Sequence, residues 1–433
     1  MRTAGAPSVM PAEAGIQGAC VHAALARLRA IWVPAFAGMA LCVTIAGMTL
    51  LAGCATHADI QPQARIRTPE PAAAVVPPLE VPGTWWTAFG DPQLDRLVAQ
   101  ALDTSPTLAM AQARLARARA AQEQVEAAGR PQVDATANAQ YQRYTATGSA
   151  PAALAGAERD TASVQLGGSW ELDVFGRHRA ALRAAVGQAR ASEAEGAAAR
   201  VQLAAQVARS YFQLARLNDQ LEVARRTLAQ REESLRLVQD RVRAGLDTAL
   251  EVRQGEGAIH EARQQLEALQ EQHQLAAHQL AALAGLSRLA VEPRSMDQAR
   301  PLPMPTELPA DLLGRRADIA AARWRVEAAA QEVALARTQF YPNVNLAAFV
   351  GLSSIGLSRL LDADSLQWGV GPAVRLPVFD AGRLRAQLRG RAAEADLAVE
   401  SYNAAVVEAM REVADQLASA QSITRQQARQ RDA

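Results

Sequence analysis

The stretch SVQLGGSWELDV, Ser163–Val174, alternates along its whole length. Its even positions carry Val164, Leu166, Gly168, Trp170, Leu172 and Val174; its odd positions carry Ser163, Gln165, Gly167, Ser169, Glu171 and Asp173. Successive side chains of a strand point to opposite faces, so one face of this segment belongs in an apolar medium and the other in a polar one. Three more stretches repeat the pattern. Gln132–Tyr141 sets Val133, Ala135, Ala137, Ala139 and Tyr141 opposite Gln132, Asp134, Thr136, Asn138 and Gln140. Val344, Leu346, Ala348, Val350 and Leu352 line a third, and Leu366–Val378 a fourth through Leu366, Trp368, Val370, Val374, Leu376 and Val378. A half-buried antiparallel sheet in a soluble domain accounts for such alternation. So does a membrane, because each stretch is close to the roughly ten residues that cross an outer membrane at a tilt. Four strands do not close a barrel, and lipid does not tolerate open edges, so the membrane reading requires several chains to pool their strands.

Around these strands the chain is written twice. Ser105–Val133 and Arg316–Val344 are both Ala-rich helical patterns that run into a proline, Pro131 or Pro342, and then change period. WELDVFGRHRAAL (Trp170–Leu182) matches AVRLPVFDAGRLRAQL (Ala373–Leu388): each leaves a strand at Val-Phe, turns at Gly176 or Gly382, and starts a helix at Arg177 or Arg383. The order helix, strand, strand, long helix therefore occurs over 84–290 and again over 291–433.

The long helices carry heptads. Val207, Leu214, Leu221, Leu228, Leu235 and Val242 follow at seven-residue steps, with Leu203, Leu217 and Val238 beside them. Beyond RVRAGLDTALEV (Arg241–Val252), Val252, Ile259, Leu266 and Leu280 keep sevens, flanked by Ala262, Leu269, Ala276 and Leu283. A sustained seven-residue repeat is a coiled-coil seam, and Gly245 supplies the turn that sends the second arm back antiparallel. From Arg177 to Arg243 the first arm reaches roughly 100 Å at about 1.5 Å per residue. The second unit has no such return. Gly176 aligns with Gly382, so Ala433 falls opposite Thr227 and the counterpart of Leu228–Leu283 has no place in the sequence. The final helix pattern, Arg383–Ala433, is then an arm without its partner. Truncation explains this better than a shorter functional form, and a chain ending there is expected to form no stable, detergent-resistant trimer unless the arm is restored.

At the other end, Ile31–Gly53 carries no charge and follows Arg27 and Arg29. It is long enough for a membrane-spanning helix. It also reads as a signal peptide ending in Leu51-Ala52-Gly53-Cys54, which resembles a bacterial lipobox with cleavage between Gly53 and Cys54 and acylation of the thiol. Residues 1–53 are then leader, with 1–25 a mis-assigned start or a translated repeat. Residues 54–83 are lipid anchor and tether, extended by Pro62, Pro69, Pro71, Pro77, Pro78 and Pro82. Ala55 after the cysteine fits sorting to the outer membrane. Cys20 and Cys42 fall in the leader, so a mature chain starting at Cys54 holds no disulfide.

The balance of charge, +1 over 433 residues with no lysine, offers no basic footprint for nucleic acid. His260, His273 and His278 lie on one helical pattern at spacings that do not converge on a metal. Neither a phosphate loop nor a nucleophile elbow is present. No catalytic residue, metal ligand or cofactor site is therefore expected.

WWTAFGDPQLDRLVAQAL (Trp85–Leu102), ELDVFGRHRA (Glu171–Ala180), RVRAGLDTALEV, RRADIAAARWRVEAA (Arg315–Ala329), FYPNVNL (Phe340–Leu346) and PVFDAGRLRA (Pro377–Ala386) stand in one order. Together they resemble the TolC/OprM-like outer-membrane efflux channels of the NodT lipoprotein subgroup, from Cys54 to the C-terminus. The resemblance implies a mainly α protein with membrane β. Long antiparallel helical hairpins form an α-barrel, and four amphipathic strands per chain contribute to a twelve-stranded barrel in a homotrimer. It implies a passive exit duct in the outer membrane, partnered by a periplasmic adaptor and an inner-membrane transporter. It places Arg241, Gly245 and Leu246 at the periplasmic tip that adaptors grip, and Leu250 and Glu251 at the gate. By its own position Glu251 reads equally as a helix-start acid favourable to the dipole. Two other functions fit the residues: a lipid-anchored periplasmic coiled-coil scaffold with the strands in a soluble cap, and a type I protein-secretion duct.

Overall fold

The computed structural model describes residues 58–67, 83–148, 151–288, 293–298 and 315–432. The chain divides into a large unit, Ile60–Leu376 with Arg383–Ala433, and a small one, Met1–Asp59 with Pro377–Gly382. In the small unit, the backbone at Ala381 and Gly382 is left-handed, and Gly382 N–H donates to Asp380 Oδ1 at 3.0 Å. Gly53 and Cys54, the leader and most of the Pro-rich tether lie outside the described residues.

The large unit contains six α-helices among its described residues: α1 (Pro92–Thr104), α2 (Pro106–Ala128), α3 (Arg177–Arg243), α4 (Ala249–Leu283), α5 (Ala317–Thr338) and α6 (Arg383–Asp432). Its strands are β1 (Gln132–Arg143), β2 (Glu158–Leu172), β3 (Asn343–Ile355) and β4 (Leu366–Arg375). The helices start where capping chemistry permits. Asp91 accepts from Gln93 N–H ahead of Pro92, and Ser105 accepts from Leu108 N–H ahead of Pro106, so a break separates α1 from α2.

α3 and α4 return antiparallel as the heptads require. Arg263 pairs with Glu232 at 2.9 Å, and Arg231 Nη1 donates to the Ala258 carbonyl at 2.6 Å. Burial along the seam is graded. Leu203, Val207, Leu214, Leu217 and Leu221 are buried, whereas Leu228, Leu235, Val238 and Val242 are half-buried. The return arm follows suit: Ile259, Ala262, Leu269, Ala276 and Leu280 are buried, while Val252, Leu266 and Leu283 are half-buried. The reason is the number of layers. At the base, Trp86, Leu94, Leu97, Val98 and Ala101 join α3 and α4 in one core, but towards the turn two helices face each other alone and their flanks stay wet. At that base Tyr211 is sealed, and its hydroxyl donates to Asp91 Oδ2 at 2.5 Å.

α5 lies between the long helices. Gly187 of α3 lets Ala328 approach so closely that an added Cβ would sit 3.0 Å from the alanine methyl. On its other side Val333 and Ala336 meet Leu388, Ala392 and Ala395 of α6. The chain segment Ile60–Arg67 is laid along this α5–α6 pair. Ile60 is buried in the same cluster, Asp396 Oδ1 accepts from Gln63 and Ala64 N–H at 2.7 Å each, and Asn403 holds Arg67 N–H and the Arg65 carbonyl. This part of the tether is a docked strap. Asp396→Ala removes an acceptor shared by two amides, which is expected to weaken docking by about 1 kcal/mol. Faster amide exchange at Gln63 and Ala64, with α6 itself unchanged, is the measurement that checks it.

The sheet order is β1-β2-β3-β4, antiparallel throughout. Several strand limits differ from expectation, most clearly those of β2 and β4. β2 begins at Glu158, where Glu158–Ala162 pair with Ala139–Arg143 although the alternation has faded, and it stops at Leu172. β4 stops at Arg375, not Val378, since Pro377 has no N–H for a ladder and restricts the residue before it.

Candidate functional site

The helix-to-helix turn is built by two local motifs. At the end of α3, Leu246 N–H reaches the Arg241 carbonyl at 2.9 Å and Gly245 N–H the Val242 carbonyl at 3.0 Å, with Gly245 at φ +75°. This is a Schellman close, and the left-handed residue it needs is the glycine. At the start of α4, Thr248 and Glu251 form a capping box: Thr248 N–H donates to Glu251 Oε2 at 3.0 Å, and Thr248 Oγ1 accepts from Leu250 N–H at 3.3 Å. Between the motifs Arg241 Nε donates to Asp247 Oδ2 at 2.6 Å.

Of the five tip residues read from the sequence, Arg241 and Glu251 are thus tied to neighbours, though not to each other. Gly245 makes the turn. Leu246 and Leu250 stand 69% and 62% exposed, an apolar pair on an otherwise charged tip. Asp247 and Thr248 complete the arrangement; the Thr-x-x-Glu spacing of a capping box was the signal for Thr248, and Asp247 had none. The Asp247 carboxylate raises the Arg241 guanidinium above its ordinary value. The Thr248 hydroxyl, then backbone N–H groups, hold Glu251 below the ordinary carboxylate range. A depressed folded-state pKa contributes order above the unfolded value and loses it as pH falls through the folded one. Amide protection at Thr248 and Leu250 is therefore expected to drop on acidification below the carboxylate range, and Glu251→Gln to abolish that pH dependence; hydrogen exchange corrected for intrinsic rate reads both.

The second feature is the sheet. Register places the apolar sets of all four strands in the same rows: Ala137–Val164–Leu352–Leu366, then Ala135–Leu166–Val350–Trp368, then Val133–Gly168–Ala348–Val370. Trp170–Leu346–Pro372 and Leu172–Val344–Val374 continue the face. No described α-helix packs across it; Leu166 is 52% and Trp368 73% exposed. The opposite face carries Gln132, Asp134, Thr136, Asn138, Ser163, Gln165, Ser169 and Gln367. Among the described residues the outer edges of β1 and β4 are unpaired.

Sheet and helices are joined by short, well-bonded corners. Asp173 accepts from His178 N–H at 2.8 Å and Arg179 N–H at 3.0 Å, so a residue upstream of Gly176 caps α3. Burial pushes the Asp173 carboxyl up, but those amides and the Arg179 side chain outweigh it and hold it below its ordinary value. Trp170 Nε1 donates to the Gly129 carbonyl at 3.0 Å, and Phe175 stacks on Tyr341 with centroids 5.2 Å apart. His260 and His278 are exposed and His273 half-buried along α4, and no metal-ligating cluster occurs among the described residues.

The chain belongs to the outer membrane efflux protein family, which matches residues 97–286 and 308–433. It is 34% identical over 368 residues to the fusaric acid resistance protein FusA of Burkholderia cepacia, covering 82% of this chain and 69% of that one. With the multidrug resistance outer membrane protein MdtP of Escherichia coli strain K12 it shares 33% identity over 394 residues, 86% of this chain and 80% of the other. The crystal structure of the outer membrane protein VceC of Vibrio cholerae superposes with a TM-score of 0.72 at 35% identity, covering 79% of this chain and 82% of that one. The fold, mainly helical with a small antiparallel sheet, is that of these channels.

Proposed function

We propose that this chain supplies the wall of a passive exit duct in the outer membrane, three copies, each with its return arm in place, pooling twelve strands into a barrel and their helices into a periplasmic tunnel. The observation that carries the reading is the uncovered apolar face running through five cross-strand rows, backed by a polar face and flanked by two open edges. Lipid is the medium that suits the first, water the second, and neighbouring copies the third. The two helix–strand–strand–helix units, over 84–290 and 291–433, are read as an internal duplication that gives each copy two pairs of strands. Acylated Cys54 supplies a second hold on the membrane. Incorporation of radiolabelled palmitate that disappears in Cys54→Ala supports that anchor.

In this reading the tip at Arg241, Gly245, Leu246, Leu250 and Glu251 meets a periplasmic adaptor, which connects the duct to an inner-membrane transporter. The exposed Leu246 and Leu250 support a docking role, and the ties of Arg241 and Glu251 keep the tip in shape for it. Resistance and multidrug functions in the names of FusA and MdtP favour small-molecule cargo. Single cysteines along β2 test the duct. A hydrophilic maleimide applied to outer-membrane vesicles is expected to label Ser163→Cys, Gln165→Cys and Ser169→Cys and to spare Val164→Cys and Leu166→Cys. Equal labelling of both sets would sink the reading.

A further inference from the structure

The Ile60–Arg67 strap is drawn tight along α5 and α6. Ile60 is 6% exposed among Val333, Ala336, Leu388 and Ala392, and Arg337 Nη2 donates to its carbonyl at 3.5 Å. At the far end Arg67 N–H reaches Asn403 Oδ1 at 2.9 Å. From Leu388 to Asn403 α6 advances roughly 22 Å. The strap covers the same distance from Ile60 to Arg67 only when fully extended, at about 3.3 Å per residue. It has no slack in which to slide, and Asp396, taking two successive amides midway, fixes its register. Its first residue lies where helices meet sheet: Val333 and Ala336 are in the last turns of α5 before β3, and Leu388 is in the second turn of α6 after β4. Covalent reach then keeps Cys54 within roughly 20 Å of that corner. With the strap free, the next point held to the body would be Trp86, in the core with Tyr211, roughly 50 Å along α3 from Arg177.

We propose that the strap is a positioning clamp for the lipid anchor: docked on α5 and α6, it holds acylated Cys54 at the sheet end of the helices, so that the acyl chains enter the membrane beside the strands. The inference rests on the acylation of Cys54. Asp396 and Asn403 are positioning residues in this scheme and touch no lipid. What they set is a local concentration. A flexible link loses effective concentration roughly as the −3/2 power of its length, so exchanging the link Cys54–Ile60 for the link Cys54–Trp86 lowers that of the sheet end at the membrane on the order of ten-fold.

The test uses the full chain, processed and acylated at Cys54, in vesicles of phosphatidylethanolamine and phosphatidylglycerol that carry a nitroxide-headgroup lipid. Cys20 and Cys42 leave with the leader, so Ala386→Cys or Ser419→Cys supplies the free thiol for a fluorophore. Both positions are exposed on α6, with roughly 50 Å of helix between them. Quenching is expected at position 386 and not at 419. Asp396→Ala with Asn403→Ala is expected to lower quenching at 386 several-fold, to the level of an unacylated chain starting at Ala55. Ile60→Asp, which leaves both helices as they are, is expected to do the same. A Gly-Ser insert of about 25 residues between Thr56 and His57 keeps every strap contact and is expected to lower quenching as far, which a merely structural role would not. Quenching at 386 that survives the strap substitutions or the insert overturns the proposal. Labelled palmitate separates the two layers of argument. If the native chain takes up none, the acylation reading falls and the clamp with it. If it takes up palmitate yet is quenched no more than the unacylated chain, the clamp alone falls.

Discussion

Leu166→Arg is expected to remove the chain from the outer membrane, whereas Gln165→Arg one residue away is expected to leave it there. Leu166 stands in the row Ala135–Leu166–Val350–Trp368, well inside the apolar face, and its side chain is half exposed with no described helix over it. An arginine near the middle of a barrel's lipid face costs about 2–4 kcal/mol, and the three-copy assembly proposed for this chain would meet that penalty three times. The sum is comparable with the whole net stability of a typical domain, roughly 5–15 kcal/mol. At position 165 the same charge joins Thr136, Gly351 and Gln367 on the polar face, where water meets it. Retention in the outer-membrane pellet after a urea wash distinguishes the two variants. Equal retention would mean that the apolar rows face something other than lipid.

Tyr211→Ala is the second large effect, and it acts on the body instead of the wall. The side chain is 1% exposed in the cluster that joins α1 to the α3–α4 base, edge-on to Phe212. Truncating a buried ring of this size costs about 3–5 kcal/mol in lost transfer energy and cavity. It also strands Asp91 Oδ2, which accepts the tyrosine hydroxyl at 2.5 Å, while Asp91 Oδ1 continues to cap α1. Tyr211→Phe keeps the ring and removes the hydroxyl alone, for about 1–3 kcal/mol. Burial first, and then the bond to Asp91, hold the Tyr211 hydroxyl well above its ordinary pKa, so it stays a donor at any pH a cell reaches. Thermal unfolding followed by far-UV circular dichroism is expected to rank native above Phe above Ala. A Phe variant as unstable as Ala would assign the energy to the hydrogen bond instead of the ring.

The wall was legible in the sequence and the corners were not, for one physical reason. A strand with two different media on its two faces must alternate, so Val164, Leu166 and their neighbours on the other strands announced their side without any alignment. Over Glu158–Ala162 polar residues stand on both faces, the alternation lapses, and this extension of β2 became invisible although its ladder is intact. The heptads of α3 and α4 were readable for the same reason, but their graded burial depends on α1 and Trp86, brought from more than a hundred residues away in sequence. Asp396 and Asn403 had no sequence signal as the receivers of Gln63, Ala64 and Arg67, because a helix face that binds a passing strap looks like any polar face. At the tip, Arg241 and Glu251 were found through family resemblance, and the structure supplied their partners Asp247 and Thr248.

Those tip partners have a wider consequence. The Schellman bonds, the Arg241–Asp247 pair and the Thr248–Glu251 box all begin and end between Arg241 and Glu251. The turn thus behaves as a cassette: its shape is written in eleven consecutive residues and borrows little from the half-buried seam below it. In the docking role proposed for the tip, substitutions at Leu246 and Leu250 would change what it recognises and leave the hairpin below it in place. Grafting Arg241–Glu251 onto another antiparallel helical hairpin should carry the shape of the turn along with it.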